Sequence, residues 1–140
     1  MTIINTNIII KVVNSSDAYR LEALLELAAT YPASLTVREV ARHREIPPKF
    51  LARLLGELAR EELVVTARGP RGGARLAAAP EDIGLDRLLP PEPPPETGGA
   101  AVRWLAGRLA EAHEGALAPL KLIDLVKVER DQNATPSYEI

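Results

Sequence analysis

The stretch Arg68-Gly69-Pro70-Arg71-Gly72-Gly73-Ala74-Arg75 constrains this chain more than any other. Glycine supplies the turn conformations that side chains resist, and proline beside it tightens the corner of a hairpin. The stretch comes after a short apolar run, Leu63-Val64-Val65-Thr66, which suits a strand leading into that corner. The predicted hairpin covers residues 63–78. Its three arginines are badly placed for a core. They are well placed to reach into a groove of DNA, where phosphates line both walls and the potential is most negative.

The residues before the hairpin narrow the fold. A first helix starts near Ser16, with Asp17 at its positive end. Leu21, Leu24, Leu25 and Ala28 share one face at helical spacing, and Tyr31-Pro32 ends it. Thr36 and Glu39 form a capping box for a second helix whose short buried face is Val37, Val40 and Ala41. Pro47-Pro48 opens a third helix with Leu51, Leu54, Leu55 and Leu58 inward. Its other face carries Lys49, Ala52, Arg53, Gly56 and Arg60. Small and basic residues there let a helix approach a groove and hold phosphates; the plainer reading is a solvated amphipathic helix. A helix-turn-helix followed by a basic hairpin is a winged helix, so the fold class expected is mainly α with a small β-hairpin wing, extended by a long C-terminal helix.

Beyond the hairpin, Pro80-Glu81-Asp82 starts a short helical or turn segment with Ile83, Leu85, Leu88 and Leu89. The proline run after it excludes helix and gives a stiff extended linker. A last long helix is expected over residues 99–114. Val102, Leu105, Leu109, Ala112 and Ala116 recur along it with a coiled-coil seam spacing. A lone helix past a linker has little of its own to pack on, so a second copy is the expected partner and the chain a homodimer. The alternative is a helix folded back on its own domain. Trp104 lies off the seam and is expected to anchor the helix on its own or the partner's first helix. The domains expected are 1–15, an Ile- and Asn-rich leader; 16–89, the winged helix-turn-helix; 90–98, the linker; 99–127, the dimerisation helix with a closing segment; and 128–140, a frayed tail.

The net charge of −2 hides an asymmetry. Residues 36–75 hold nine Lys/Arg against five Glu, and the rest of the chain eight against fourteen Asp/Glu. One basic face on an otherwise acidic protein suits an anionic partner at that face only. With no cysteine, disulfides, thiolate-bound zinc and cysteine-held iron–sulfur clusters are excluded. No apolar window spans a bilayer and no secretory leader is evident, which predicts an intracellular, cytoplasmic protein without membrane contact. No serine elbow, no cysteine nucleophile and no paired histidine or carboxylate site with a recognisable spacing points to an enzyme.

These residues resemble the IscR-like (Rrf-type) winged helix-turn-helix transcription regulators of bacteria, over most of the chain. Tyr19 and Leu24-Leu25-Glu26-Leu27-Ala28 match the family's opening helix. Thr36-Val37-Arg38-Glu39-Val40-Ala41, Ile46-Pro47 and Phe50-Leu51 match its second and third. Residues 68–76 match its wing, Trp104 its tryptophan helix and Leu122-Ile123-Asp124-Leu125 its closing segment. The departures are specific. Where many members carry three cluster-binding cysteines, residues 90–99 here are rich in proline and glutamate; His43 and His113 do not replace them. Glu45 and Glu62 stand where the family commonly has glycine, and Ala74 where the wing has an aromatic.

The resemblance implies a sequence-specific, double-stranded-DNA-binding regulator: a homodimeric repressor with no metal and no cofactor, open to an unidentified small-molecule or protein effector. Lys49, Ala52 and Arg53 are the expected base or near-base contacts. Arg71 and Arg75 are expected in the minor groove or on its phosphates, with Arg68 bracing the turn. Thr36, Arg38, Arg42 and Arg44 are the expected phosphate contacts, and Val102, Leu105, Leu109 and Ala112 the dimer seam. A winged-helix module that has lost DNA binding and serves a protein partner is the alternative.

Overall fold

The structure is a computed structural model that describes residues 15–67 and 72–134. The leader expected at 1–15 lies outside those residues but for Ser15, as do 135–140. The chain divides into two compact units, 1–79 and 80–140. The boundary falls ten residues earlier than the 16–89 expected from sequence, because Pro80–Asp82 and the short helix after it pack with the C-terminal helices.

In the first unit, α1 (Ser15–Thr30), α2 (Val37–Arg44) and α3 (Pro48–Arg60) precede a two-stranded antiparallel sheet, β1 (Val64–Ala67) and β2 (Gly73–Leu76). The buried face of α1 is broader than a single stripe: Ala23, Leu24, Leu25, Leu27 and Ala28 are buried, while Leu21 is half-buried. Those side chains meet Val40 and Ala41 of α2, the four leucines of α3, and Leu63, Val64 and Leu76 of the hairpin in one core. Each fully buried leucine contributes roughly 1.5–3 kcal/mol. The capping box is complete: Glu39 N donates to Thr36 Oγ1 at 3.1 Å and Thr36 N to Glu39 Oε2 at 2.7 Å. These bonds to the Thr36 amide and hydroxyl hold the Glu39 carboxyl below the usual carboxylate range.

The residues after α2 and α3 are left-handed, with φ 54° at Glu45 and 61° at Glu62. After α3, Leu63 N bonds Leu58 O and Glu62 N bonds Ala59 O, the pair of bonds that closes a helix on a left-handed residue. After α2, Ile46 N bonds Ala41 O. Ile46 and Leu63, the next residues, are thereby turned into the core, where they are 2% and 1% exposed.

In the second unit, a 3-10 turn (Pro80–Asp82) and α4 (Leu85–Leu88) are followed by residues 90–99, which hold no helix or strand, and then by α5 (Ala100–Leu117) and α6 (Leu122–Ala134). Pro80, Ile83, Leu85, Leu88, Leu89 and Leu122 are buried among its described residues. Leu85 N donates to Leu120 O and Leu122 N to Ile83 O, which fastens the start of α6 beside the short α4. The tail expected from 128 onward is helical as far as Ala134. Asp124 Oδ2 accepts from Lys121 N at 2.8 Å and caps the start, and neither proline nor glycine interrupts the helix before Pro136.

Candidate nucleic-acid interface

A groove of about 660 Å³ runs across the first unit between three elements. One wall is the start of α2, with Thr36, Val37 and Arg38; the floor is Ala52, Leu55 and Gly56 of α3; the other wall is Thr66 and Ala67 of β1 with Gly72, Gly73 and Ala74. The wing is pinned there by backbone. Leu35 N donates to Ala74 O at 2.9 Å and Ala74 N to Leu35 O at 2.8 Å, so residue 35 pairs with β2 as a third edge. A Cβ on Gly73 would lie 2.2 Å from Leu35 O, so only glycine lets the strand approach this closely. Ala74 is 1% exposed.

The side chains named from sequence fall into distinct places. On α3, Lys49 and Ala52 are exposed and Arg53 is 69% exposed, all on the face away from the leucines. Arg38 and Arg42 are exposed on α2, and Thr36 is half-buried at its cap. Arg38 stands in the first turn, where the helix dipole disfavours a cation and welcomes an anion. The Val37 and Arg38 amides lie in the same first turn, where no carbonyl of their own helix can reach them.

Arg44 departs from its expected place as a phosphate contact. Its Nε donates to Glu26 Oε1 and its Nη1 to Glu22 Oε1, both at 2.7 Å, with 14% of its side chain exposed. It ties α2 to α1. The reason is register: Glu22 and Glu26 lie one turn apart on α1 and face the end of α2. His43 Nδ1 lies 2.7 Å from Glu26 Oε2 and adds to the same knot. Burial alone would push the Glu26 carboxyl up, but the hydrogen bonds from His43 and Arg44 outweigh it and hold the group below the usual carboxylate range. A second tie escaped the sequence reading altogether: Arg20 on α1 makes a two-pronged pair with Glu61 at the end of α3, at 2.7 and 2.9 Å. That hydrogen-bonded pairing raises the Arg20 pKa. Only wide separation in sequence hid it.

Of the wing arginines, Arg68 and Arg71 lie outside the described residues. Arg75 is on β2 opposite Val65, half-buried, with Nη1 donating to Leu76 O at 3.3 Å.

On α5 no residue is buried. Val102, Leu105 and Leu109 are 50%, 53% and 63% exposed, and Trp104 is 67% exposed with the Arg108 guanidinium 5.7 Å from its ring centre. Ala112 is exposed on the same helix. The half-buried side is Ala106, Ala110, His113 and Leu117. His113 Nε2 lies 2.6 Å from Leu89 O; a carbonyl only accepts, so the ring carries a proton on Nε2.

A family profile described as Rrf2, iron-dependent transcriptional regulator, matches residues 13–91. Among curated proteins, an rrf2-like HTH-type transcriptional regulator of Rhodobacter capsulatus is 37% identical over 75 residues, covering 51% of this chain and 50% of that protein. The chain spans about half the length of the curated relatives it matches. Among solved structures, T. potens IscR superposes with a TM-score of 0.73 at 21% identity, over 89% of this chain and 92% of that one. CymR, the global cysteine regulator of B. subtilis, superposes with a TM-score of 0.66 at 25% identity, over 81% of this chain and 95% of that one. The mainly helical winged fold is therefore shared.

The residues here do not fit an iron–sulfur cluster of the kind this resemblance brings with it. Such a cluster takes thiolate ligands, and the chain has no cysteine. Among the described residues, no three His, Asp or Glu side chains converge where a metal ion could sit. His113 and His43 each face a partner of another kind, a carbonyl and a carboxylate. No helix among the described residues is long and apolar enough to cross a membrane.

Proposed function

This chain belongs to the Rrf2 family of transcriptional regulators, and from that premise we propose that it binds double-stranded DNA in a sequence-specific way, as a homodimeric repressor that works without an iron–sulfur cluster. The observation that carries the reading is the groove wall. Arg38 and the open amides of α2 call for an anion at one edge, while the exposed face of α3 offers Lys49, Ala52 and Arg53 beside it. A DNA strand satisfies both: α3 enters the major groove, its small residues allow close approach, and a phosphate meets the start of α2. The wing reaches the neighbouring minor groove. A repressor acts by occupying promoter DNA.

The homodimer rests on α5. Three large aliphatic side chains and a tryptophan stand in water along one helix, and a second copy of that helix covers them with matching chemistry. Two copies then read two half-sites, which suits an operator of two-fold symmetry.

The test is a salt-dependent titration of the full chain against duplex DNA from upstream of its own gene. A DNA reader loses affinity steeply with salt, by about 0.9 in logarithmic slope for each phosphate held. Weak binding with a shallow slope on specific and scrambled duplexes alike would instead favour a module for a protein partner.

A further inference from the structure

We propose that Arg53 reads a guanine, and that the Phe50 ring is the positioning residue that aims it. This rests on the DNA-binding reading above. Arg53 stands at the middle of the exposed face of α3, and an arginine there ordinarily samples many rotamers. Here two neighbours on the same helix bias its orientation. Its guanidinium carbon lies 5.3 Å from the centre of the Phe50 ring, one turn earlier on the same helix. Its Nε lies 3.9 Å from Glu57 Oε2, one turn later. The Phe50 ring is itself fixed, edge to face with Tyr19 of α1 at 5.2 Å between centres and 62° between planes. An aromatic pair anchored on α1 thus carries a cation on its outer side.

The chemistry that matches a planar fork biased toward one orientation is a pair of acceptors in one plane. In the major groove of B-DNA, guanine alone offers two, O6 and N7. Adenine presents a donor beside its N7 and repels the fork. The neighbouring Ala52 methyl and the Gly56 backbone leave the space a base edge needs. Glu57 does not read cytosine while it faces Arg53; it keeps the guanidinium from collapsing onto phosphate. A cation stacked on a ring loses less freedom when it binds, and the gain appears as discrimination at one base pair rather than as general affinity.

The experiment is selection of binding sites from a duplex library with a randomised core, by the full chain and four variants, each checked for native helix content. Wild type should enrich guanine at one position in each half-site, preferred roughly ten- to hundredfold over other bases. Arg53→Ala should lose the preference there and keep it elsewhere, while Arg53→Lys, which reaches the same two acceptors without a planar fork to stack on the ring, should weaken it. Phe50→Leu should weaken the same position alone, and Phe50→Tyr, which keeps the ring, should retain it. Guanine preference that survives in Arg53→Ala overturns the assignment of the reader. Equal preference in Phe50→Leu and wild type overturns the role of the ring. If wild type enriches no sequence, the DNA-binding reading fails, and this proposal falls with it.

Discussion

Replacing Glu45 and Glu62 with glycine should stabilise the protein, although each substitution removes a charged surface side chain that lies outside the core. Both residues are left-handed, at φ 54° and 61°, in bonds that close α2 and α3. A residue with a Cβ in that region loses about 1–2 kcal/mol relative to glycine. Glycine returns part of this, about 0.4–1 kcal/mol, through the extra freedom of the unfolded chain. The net gain is about 0.5–1 kcal/mol per site and on the order of 1–2 kcal/mol for the double variant. In a unit of this size that raises Tm on the order of 5–15 °C. Neither carboxylate takes part in an ion pair among the described residues, so no contact is lost with it. Melting followed by far-UV circular dichroism measures the effect, with a urea midpoint at unchanged slope as the second readout. Glu62→Ala is the control, because it removes the charge and keeps the strain. If alanine stabilises as much as glycine, charge and not backbone is the cause. If Glu45→Gly and Glu62→Gly lower Tm, the reasoning is wrong.

Other expectations rest on how the cations are placed. Arg38→Ala and Arg42→Ala should each flatten the salt dependence of DNA binding by about 0.9 in slope, measured by fluorescence anisotropy. Arg44→Ala should cost about 1–3 kcal/mol in urea unfolding, because it removes both ties of α2 to Glu22 and Glu26. Leu105→Glu with Leu109→Glu should give a monomer in sedimentation, with weaker DNA binding; a persisting dimer would place the interface elsewhere. The Glu26 carboxyl lies below its unfolded value, so its stabilisation is present above that value and lost as pH falls through the folded one; Glu26→Gln should unfold with a shallower acid limb. Protein purified without oxygen should show no visible absorbance and bind DNA equally under reducing and oxidising conditions, as iron analysis and a titration would establish.

The helices and the hairpin were legible because each is marked by a local device: a capping box at Thr36, prolines opening α3, glycines at the wing. Left-handed caps at Glu45 and Glu62 were legible only through resemblance, since nothing about glutamate announces positive φ. Pairing at a distance stayed hidden. Arg20 and Glu61 lie far apart along the chain and meet only once α1 and α3 pack. Helical periodicity put Arg44 away from the apolar stripe, which is correct, but periodicity does not say whether the polar side looks at water or at a neighbouring helix. The helical reach of 128–134 is hidden for a related reason: its residues mix good helix formers with poor ones such as Val128, Asp131 and Asn133 and show no apolar stripe, and the cap that starts the helix, Asp124 on Lys121, reads as an ordinary charged pair.

The carboxylates of α1 therefore decide what the arginines of α2 can do. Local charge counting credits residues 36–75 with an excess of four positive charges, as though all were available to an anion. Glu22 and Glu26 draw Arg44 inward and hold the second helix by its C-terminal end, where a cation is also favoured by the helix dipole. That leaves the opposite end of α2, with Thr36, Val37 and Arg38, along the groove. The pairing lowers the exposed charge but fixes the angle at which α2 presents its start. Phosphate recognition depends on that angle more than on total charge, because open amides at a helix start bind an anion only along their own axis. The same division recurs on α3, where Glu61 engages Arg20 at the far end and leaves Lys49 and Arg53 exposed at the near one. A charge reversal at Glu22 or Glu61 would thus leave the outer basic residues untouched and still disturb binding, through the orientation of the helices that carry them.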